Sequence, residues 1–178
     1  MTKIKSFELS VSYSTVAVFD PSAPGLDDGF FLYFRGEHEG QGFAWNPGNF
    51  NFRTFMNDEF SSAFIEVWLA DEISLMPDSV RAILVPFSVG KSGIVINSDM
   101  DEEVPVPEGN YALVFEMKLR DDEEYFKSPR YQTDLETSQR SVWCRLTFIP
   151  KESVEPEILR EDAGLSPDYP LLMEAEPA

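Results

Sequence analysis

Seven consecutive residues, Phe7-Glu8-Leu9-Ser10-Val11-Ser12-Tyr13, alternate apolar and polar side chains without a break. A β-strand sends successive side chains to opposite faces, so the run predicts a half-buried strand with Phe7, Leu9, Val11 and Tyr13 on its covered face. The pattern recurs along the chain. Residues 16–19, 30–34, 42–45, 63–69, 80–89, 93–96, 111–119 and 141–149 form short runs rich in Val, Ile, Phe and Tyr. Between them lie Asp20-Pro21, Asn46-Pro47-Gly48-Asn49, Glu108-Gly109-Asn110 and similar turn-forming clusters. Tyr111, Leu113, Phe115, Met117 and Leu119 share one strand face, and Val104-Pro105-Val106-Pro107 is extended but unable to donate to a central ladder. No amphipathic helix of ordinary length is predicted. A sheet must cover its apolar face with a second layer, so the expected fold class is all-β: one antiparallel β-sandwich over residues 1–150. Residues 151–178, with four prolines and eight carboxylates against Lys151 and Arg160, are expected to form an irregular, acidic C-terminal tail with at most a short helical turn near residues 157–162.

Composition narrows the classes of partner. Fifteen Phe, 6 Tyr and 3 Trp are ample for a packed interior, so the formal charge of −18 does not signal a disordered chain. That charge argues against direct contact with nucleic acid, where affinity comes from Lys and Arg displacing counterions, and against an anionic membrane surface. It would instead accelerate encounter with a basic protein. Cys144, the single cysteine, sits in the apolar run 142–149 and reads as a buried structural thiol. Lys3 and Lys5 are followed by no apolar stretch of signal-peptide type, and no run of some 18 apolar residues occurs, so the expected setting is the cytoplasm without membrane insertion.

Residues suited to catalysis are sparse. His38 lies between Glu37 and Glu39 and reads as a solvated loop histidine, which leaves no convincing Ser-His-Asp or Cys-His arrangement. Asp99, Asp101, Glu102 and Glu103 could ligate calcium at a sandwich rim, but no Asp-x-Asp-x-Asp-Gly loop is present. Gly90-Lys91-Ser92-Gly93 lacks the spacing of a phosphate-binding loop. The expectation is therefore a non-enzyme without metal or cofactor. Ten carboxylates between residues 99 and 124 face only Lys118 and Arg120. The candidate partner-binding residues are Asp99, Asp101, Glu102, Glu103, Asp121, Asp122, Glu123, Glu124 and Tyr125, with Phe126 and Tyr131 as further exposed aromatics. A solvated charge run is the plainer account of any one of these clusters.

The segments Glu8-Leu9-Ser10-Val11-Ser12-Tyr13 with Val18-Phe19, Gln41-Gly42-Phe43-Ala44-Trp45, Val85-Pro86-Phe87-Ser88-Val89 with Gly93-Ile94, and Val106-Pro107-Glu108-Gly109-Asn110-Tyr111 recur, in this order, in a known family. The sequence resembles the competence protein J family over most of residues 8–119. The resemblance implies a non-catalytic inhibitor or immunity protein that binds a DNA-degrading nuclease. The chain's own charge adds the expectation that this nuclease is basic and that loop carboxylates block its active site. Residues 120–140 and the tail after Pro150 extend beyond the family's compact pattern, and Trp45 and Tyr111 are expected core or corner residues. The alternative is a ligand-binding β-sandwich in which Trp45 or Tyr131 stacks on a sugar, or rim carboxylates hold calcium.

Overall fold

The structure, a computed structural model, describes residues 1–176 apart from 12, 25, 27, 28, 56–59, 98–100 and 173. Its strands form two sheets. The first has the order β1 (Thr2–Ser10), β5 (Phe60–Leu69), β10 (Arg140–Pro150), β9 (Gly109–Leu119), β6 (Arg81–Val89), β11 (Glu157–Arg160). The second runs β3 (Phe43–Asn46), β4 (Asn49–Arg53), β2 (Thr15–Phe19), β7 (Ile94–Asn97), β8 (Asp101–Val104). Most of the predicted strands are present, and the fold is mostly β. The antiparallel expectation fails at one place: β10 pairs with β5 in parallel, with Val142 opposite Ala63 and Leu146 opposite Val67. Local alternation cannot specify the direction of a neighbour that lies some 80 residues away in the chain.

The apolar faces of the two sheets meet in one core. Phe52 of β4 stacks on Phe115 of β9 with ring centroids 4.5 Å apart, and Phe50 packs on Phe87 of β6 at 5.9 Å. Leu9, Ile65, Leu113, Met117, Cys144 and Phe148 complete it from the first sheet, and Val16, Val18, Ile94 and Ile96 from the second. Strand β9 is covered on both faces. Its alternate residues Ala112 and Val114 join Leu84 and Ile149 in a second apolar cluster beneath Leu75, Val154 and Leu159. Tyr111 is buried at 5% exposure and its hydroxyl donates to the Pro107 carbonyl at 2.8 Å, a tyrosine-corner arrangement that fixes the chain's entry into β9.

Residues 30–34, predicted as a strand, form no ladder. Side chains do most of the holding: the Asn49 and Asn51 amides donate to the Phe30 carbonyl at 2.8 and 2.9 Å, and Asn51 Oδ1 accepts from the Leu32 amide at 3.1 Å, while the Tyr33 amide donates to the Glu176 carbonyl at 2.8 Å. Buried amides on alternate positions of β4 do here what a neighbouring strand would otherwise do. Three short helices also depart from expectation: α1 (Gly36–Gln41), α2 (Glu123–Lys127) and α3 (Pro129–Thr137). At five to nine residues they are too short to display an apolar stripe over several turns.

The C-terminal segment is more ordered than composition implies. Residues 157–160, where a helical turn was expected, are the strand β11, antiparallel to β6. Asp162 then takes both Nε and Nη2 of Arg81, at 2.9 and 3.0 Å, and that arginine is only 1% exposed. Leu165 and Leu171 are buried, Ser166 donates its amide to the Gly40 carbonyl at 2.8 Å, and Glu174 bridges to Trp45 of β3. Gly42 closes α1 in the left-handed region (φ 82°), where a Cβ would lie 2.8 Å from Leu165 Cδ2. The tail thus runs from the β11 edge of one sheet to the β3 edge of the other.

Removing one partner of the Arg81–Asp162 pair leaves a buried charge unmatched. Asp162→Ala is expected to destabilise the fold by about 3–5 kcal/mol, and Arg81→Met with Asp162→Leu to recover most of the loss. Tyr111→Phe is expected to cost about 1 kcal/mol without change in fold. Denaturant unfolding of the four proteins checks both statements, and a fully stable Asp162→Ala would show that the pair contributes nothing.

Candidate interaction surface

The acidic segment after β9 is built on a buried cation. Strand β9 ends at Leu119, and the Arg120 amide donates to the Ser141 carbonyl at 3.0 Å, so residues 120–140 leave and re-enter the sheet at adjacent points. The Arg120 side chain is 3% exposed. Its Nη1 pairs with Glu8 of β1, its Nε donates to Asp122 at 3.1 Å, and its guanidinium lies over Phe64 and Tyr125 at 4.5 and 5.0 Å. Burial works against the cation, but Glu8 and Asp122 outweigh it and hold Arg120 above its ordinary pKa.

Helix α2 starts because Asp122 caps it, accepting from the Tyr125 amide at 2.8 Å; Glu123 and Glu124 in its first turn suit the positive end of the helix. Ser128 caps α3 through the Tyr131 amide at 3.1 Å, with Pro129 at the first helical position. Tyr125 is buried, not exposed as expected. Its hydroxyl donates to Asp134 at 2.7 Å, and burial together with that carboxylate pushes the phenol up to about 12. Above it, Leu119, Phe126, Tyr131 and Leu135 line a cleft of about 290 Å³. Phe126 and Leu135 are 46% and 56% exposed.

The second acidic group sits on β8, an edge strand. Lys5 of β1 pairs with Glu102 at 2.7 Å and donates to the Glu103 carbonyl at 2.8 Å, while Asp101 accepts from Asn97. Lys5 and Glu8 are three residues apart on β1, a span of about 10 Å. One strand therefore carries both anchors, Lys5 to Glu102 and Glu8 to Arg120 and Asp122, but on opposite faces: Lys5 shares the core-side face of β1 with Phe7 and reaches the edge strand β8 of the other sheet, while Glu8 points outward with Phe64 and holds the Arg120 segment. Asp101, Glu103, Asp121, Glu123 and Glu124 are exposed, Glu102 and Asp122 partly covered. Asp99 lies outside the described residues. Sequence reasoning missed the roles of Lys5, Glu8 and Arg120, whose partners are remote in the chain, of Leu119, read only as part of a strand face, and of Leu135, which carried no pattern of its own.

The groups with chemical potential elsewhere are engaged structurally. His38 is in α1 and 1% exposed, contrary to the solvated loop expected: Nδ1 accepts from the Arg35 amide and Nε2 meets the Glu174 carbonyl, both at 3.1 Å. Cys144 is buried as expected, and burial pushes its thiol up to about 12. Among the described residues no group of three or more His, Cys, Asp or Glu side chains is placed to hold a metal ion. Also among them, no helix is long and apolar enough to cross a membrane. Trp45, half-buried against Phe50, has its carbonyl taken by the Ala175 amide at 2.5 Å.

Comparison with known proteins places this geometry. The crystal structure of ComJ from Bacillus subtilis, described as an inhibitor of the DNA degrading activity of NucA, superposes with a TM-score of 0.56 at 22% identity, over 84% of this chain and 99% of its own. A protein described as crocagin biosynthetic gene J aligns at 13% identity with a TM-score of 0.48, over 83% of this chain and 96% of its own. No curated protein matches the sequence. The model of the competence protein J (ComJ) family matches residues 8–149, most of the chain, and this protein belongs to that family.

Proposed function

We propose that the protein is a non-catalytic inhibitor that binds a basic, DNA-degrading nuclease and blocks its active site. On this reading the two sheets are a β-sandwich scaffold built mainly from residues 1–150, residues 151–178 complete it as a C-terminal tail that adds β11, and the activity is the binding itself, in the cytoplasm and without a cofactor. Family membership and the inhibitory activity in the description of Bacillus subtilis ComJ support it.

The observation that carries the reading is how the few cations are used. Ten of the 14 Lys and Arg side chains form ion pairs within the protein, among them the buried or nearly buried Arg81, Arg120 and Arg145. Arg160 is occupied by the Met76 and Ser79 carbonyls at 2.9 and 2.5 Å. Carboxylates outnumber cations by 18, so what remains facing solvent is negative, and part of it is arranged on ordered backbone in two groups, on β8 and on the segment that follows β9. Asp101 and Glu103 on β8, with Asp121, Glu123 and Glu124 beside Arg120, offer acceptors where a nuclease groove offers donors for phosphates. Such a field steers a cationic partner and accelerates association by about 10- to 1,000-fold at low salt.

Four of these carboxylates can be reversed without touching a helix cap: Glu103→Lys, Asp121→Lys, Glu123→Lys and Glu124→Lys together leave Asp122 and Glu102 in place. The quadruple variant is expected to keep its melting temperature within a few degrees, to associate about tenfold or more slowly with the nuclease that co-purifies with the native protein, and to lose most of the salt dependence of that rate. Stopped-flow association at 50 and 300 mM salt, paired with a DNA-degradation assay, is the measurement. Unchanged rates would remove this surface from the interface, and undiminished DNA degradation in the presence of the wild-type protein would end the inhibitor reading.

A further inference from the structure

Helix α3 is turned inside out. Its one buried residue is a carboxylate, Asp134, held by Arg130 at 2.9 Å and by the Tyr125 hydroxyl at 2.7 Å, while its one aliphatic residue, Leu135, stands 56% exposed. A helix that served only to cover the sheet would bury its leucine and hydrate its aspartate. Tyr131 and Leu135, four residues apart, share the outward face, and the Phe126 ring meets Tyr131 edge-on at 5.2 Å. Leu119, at the end of β9, is 40% exposed beside them. Three of the ten large apolar side chains that the described residues leave exposed thus converge on one cleft.

The cleft is held in shape from below. Arg120 and Asp134, both nearly dry, fix Tyr125 between a guanidinium face and a hydrogen bond, so the floor is set before any partner arrives. The rim is acidic on balance: Asp121 and the exposed Arg140 both line the cleft, while Glu123, paired with Lys127, and Glu124 follow on α2 and Glu136 adjoins Leu135, all exposed. An apolar hollow with more carboxylates than cations around it favours an occupant of opposite pattern.

We infer that the 119–135 cleft receives a single bulky apolar side chain of the partner, aromatic or large aliphatic, flanked in its sequence by lysine or arginine. The inference rests on the inhibitor reading for the partner's identity alone; the chemistry of the occupant follows from the cleft. The apolar side chain supplies the desolvated anchor and therefore governs the dissociation rate, while the rim charges govern encounter. Carboxylates spread over a surface steer a basic protein without fixing its register, and one inserted side chain fixes it.

The test uses the full chain and two twelve-residue peptides of equal charge, one with Phe at the centre of a lysine-flanked sequence and one with Ala there. In an NMR titration the Phe peptide is expected to shift the Leu119, Phe126 and Leu135 signals, and to bind about tenfold or more tightly than the Ala peptide, the loss typical of a truncated anchor. Phe126→Ser with Leu135→Ser, both at exposed positions, is expected to abolish that preference while leaving the melting temperature and the residual, charge-driven binding of both peptides in place. Equal binding of the two peptides, or shifts confined to other residues, would overturn the inference. So would shifts of the same signals on dilution of the protein alone, which would show a second copy of the chain as the occupant. A Phe preference combined with no effect of the protein on nuclease activity would keep the cleft and discard the inhibitor reading. Full inhibition by the Ser variant with unchanged dissociation would keep inhibition and discard the anchor.

Discussion

The contact between Phe52 and Phe115 is the one from which the rest of the structure follows, because it is where the two sheets are joined. Neither sheet could stand alone: each has one face of Val, Ile, Leu and Phe that must leave water, and a single fully buried Phe is worth about 1.5–3 kcal/mol. Stacking β4 on β9 also decides which residues of every other strand point inward, since register along a ladder has a period of two. Leu9 on β1, Ile65 on β5 and Cys144 on β10 face the core because they are in register with that pair through the ladder. The outward positions that result, Glu8, Phe64, Trp143 and Lys118, lie in one row across the first sheet, and Arg120 is placed over that row at its open end.

Most strands were legible in the sequence, and the reason is local. From Thr15–Phe19 through Arg140–Pro150, alternation or a dense apolar run marks most strands that have a ladder neighbour, the acidic β8 being an exception, and turn residues mark their ends. Where the expectation failed, the deciding interaction was distant. Residues 30–34 look like a strand but are held by Asn49 and Asn51, and His38 looks solvated but is covered by Glu174, 136 residues later. The parallel pairing of β5 with β10 is of the same kind.

The candidate surface was half legible. Counting carboxylates found the cluster Asp99, Asp101, Glu102 and Glu103 and the 121–124 cluster, and charge alone pointed to a basic partner. What counting could not show is that Asp122 is spent on a helix cap and on Arg120, or that Tyr125 lies inside with its hydroxyl on Asp134. An isolated list of acidic residues treats Asp122 and Glu124 alike; the structure gives one a structural task and leaves the other to solvent. Nor could it show that both clusters are tied to β1, through Lys5 on its core-side face and Glu8 on its outer face, roughly a hundred residues earlier.

The two sides of the molecule are managed in opposite ways, and the difference explains where a partner can come. On one side the C-terminal segment covers both exposed ladders, adding β11 to β6 and bridging Glu174 to Trp45 on β3, with Arg81, Leu165 and Leu171 buried beneath it. β6 and Trp45 of β3 are thereby covered, and the strand left outermost, β11, is only four residues long. On the other side, among the described residues, β1 and β8 have no further strand beside them. Unprotected, such edges would pair with any extended chain. Here a register shift between Lys3 and Lys5 interrupts β1, and Asp101, Glu102 and Glu103 make β8 short and charged. Backbone pairing is discouraged on that side by an interrupted strand and by charge. On the proposed inhibitor reading, the carboxylates that keep β8 from joining indiscriminately are also what a cationic partner would meet there.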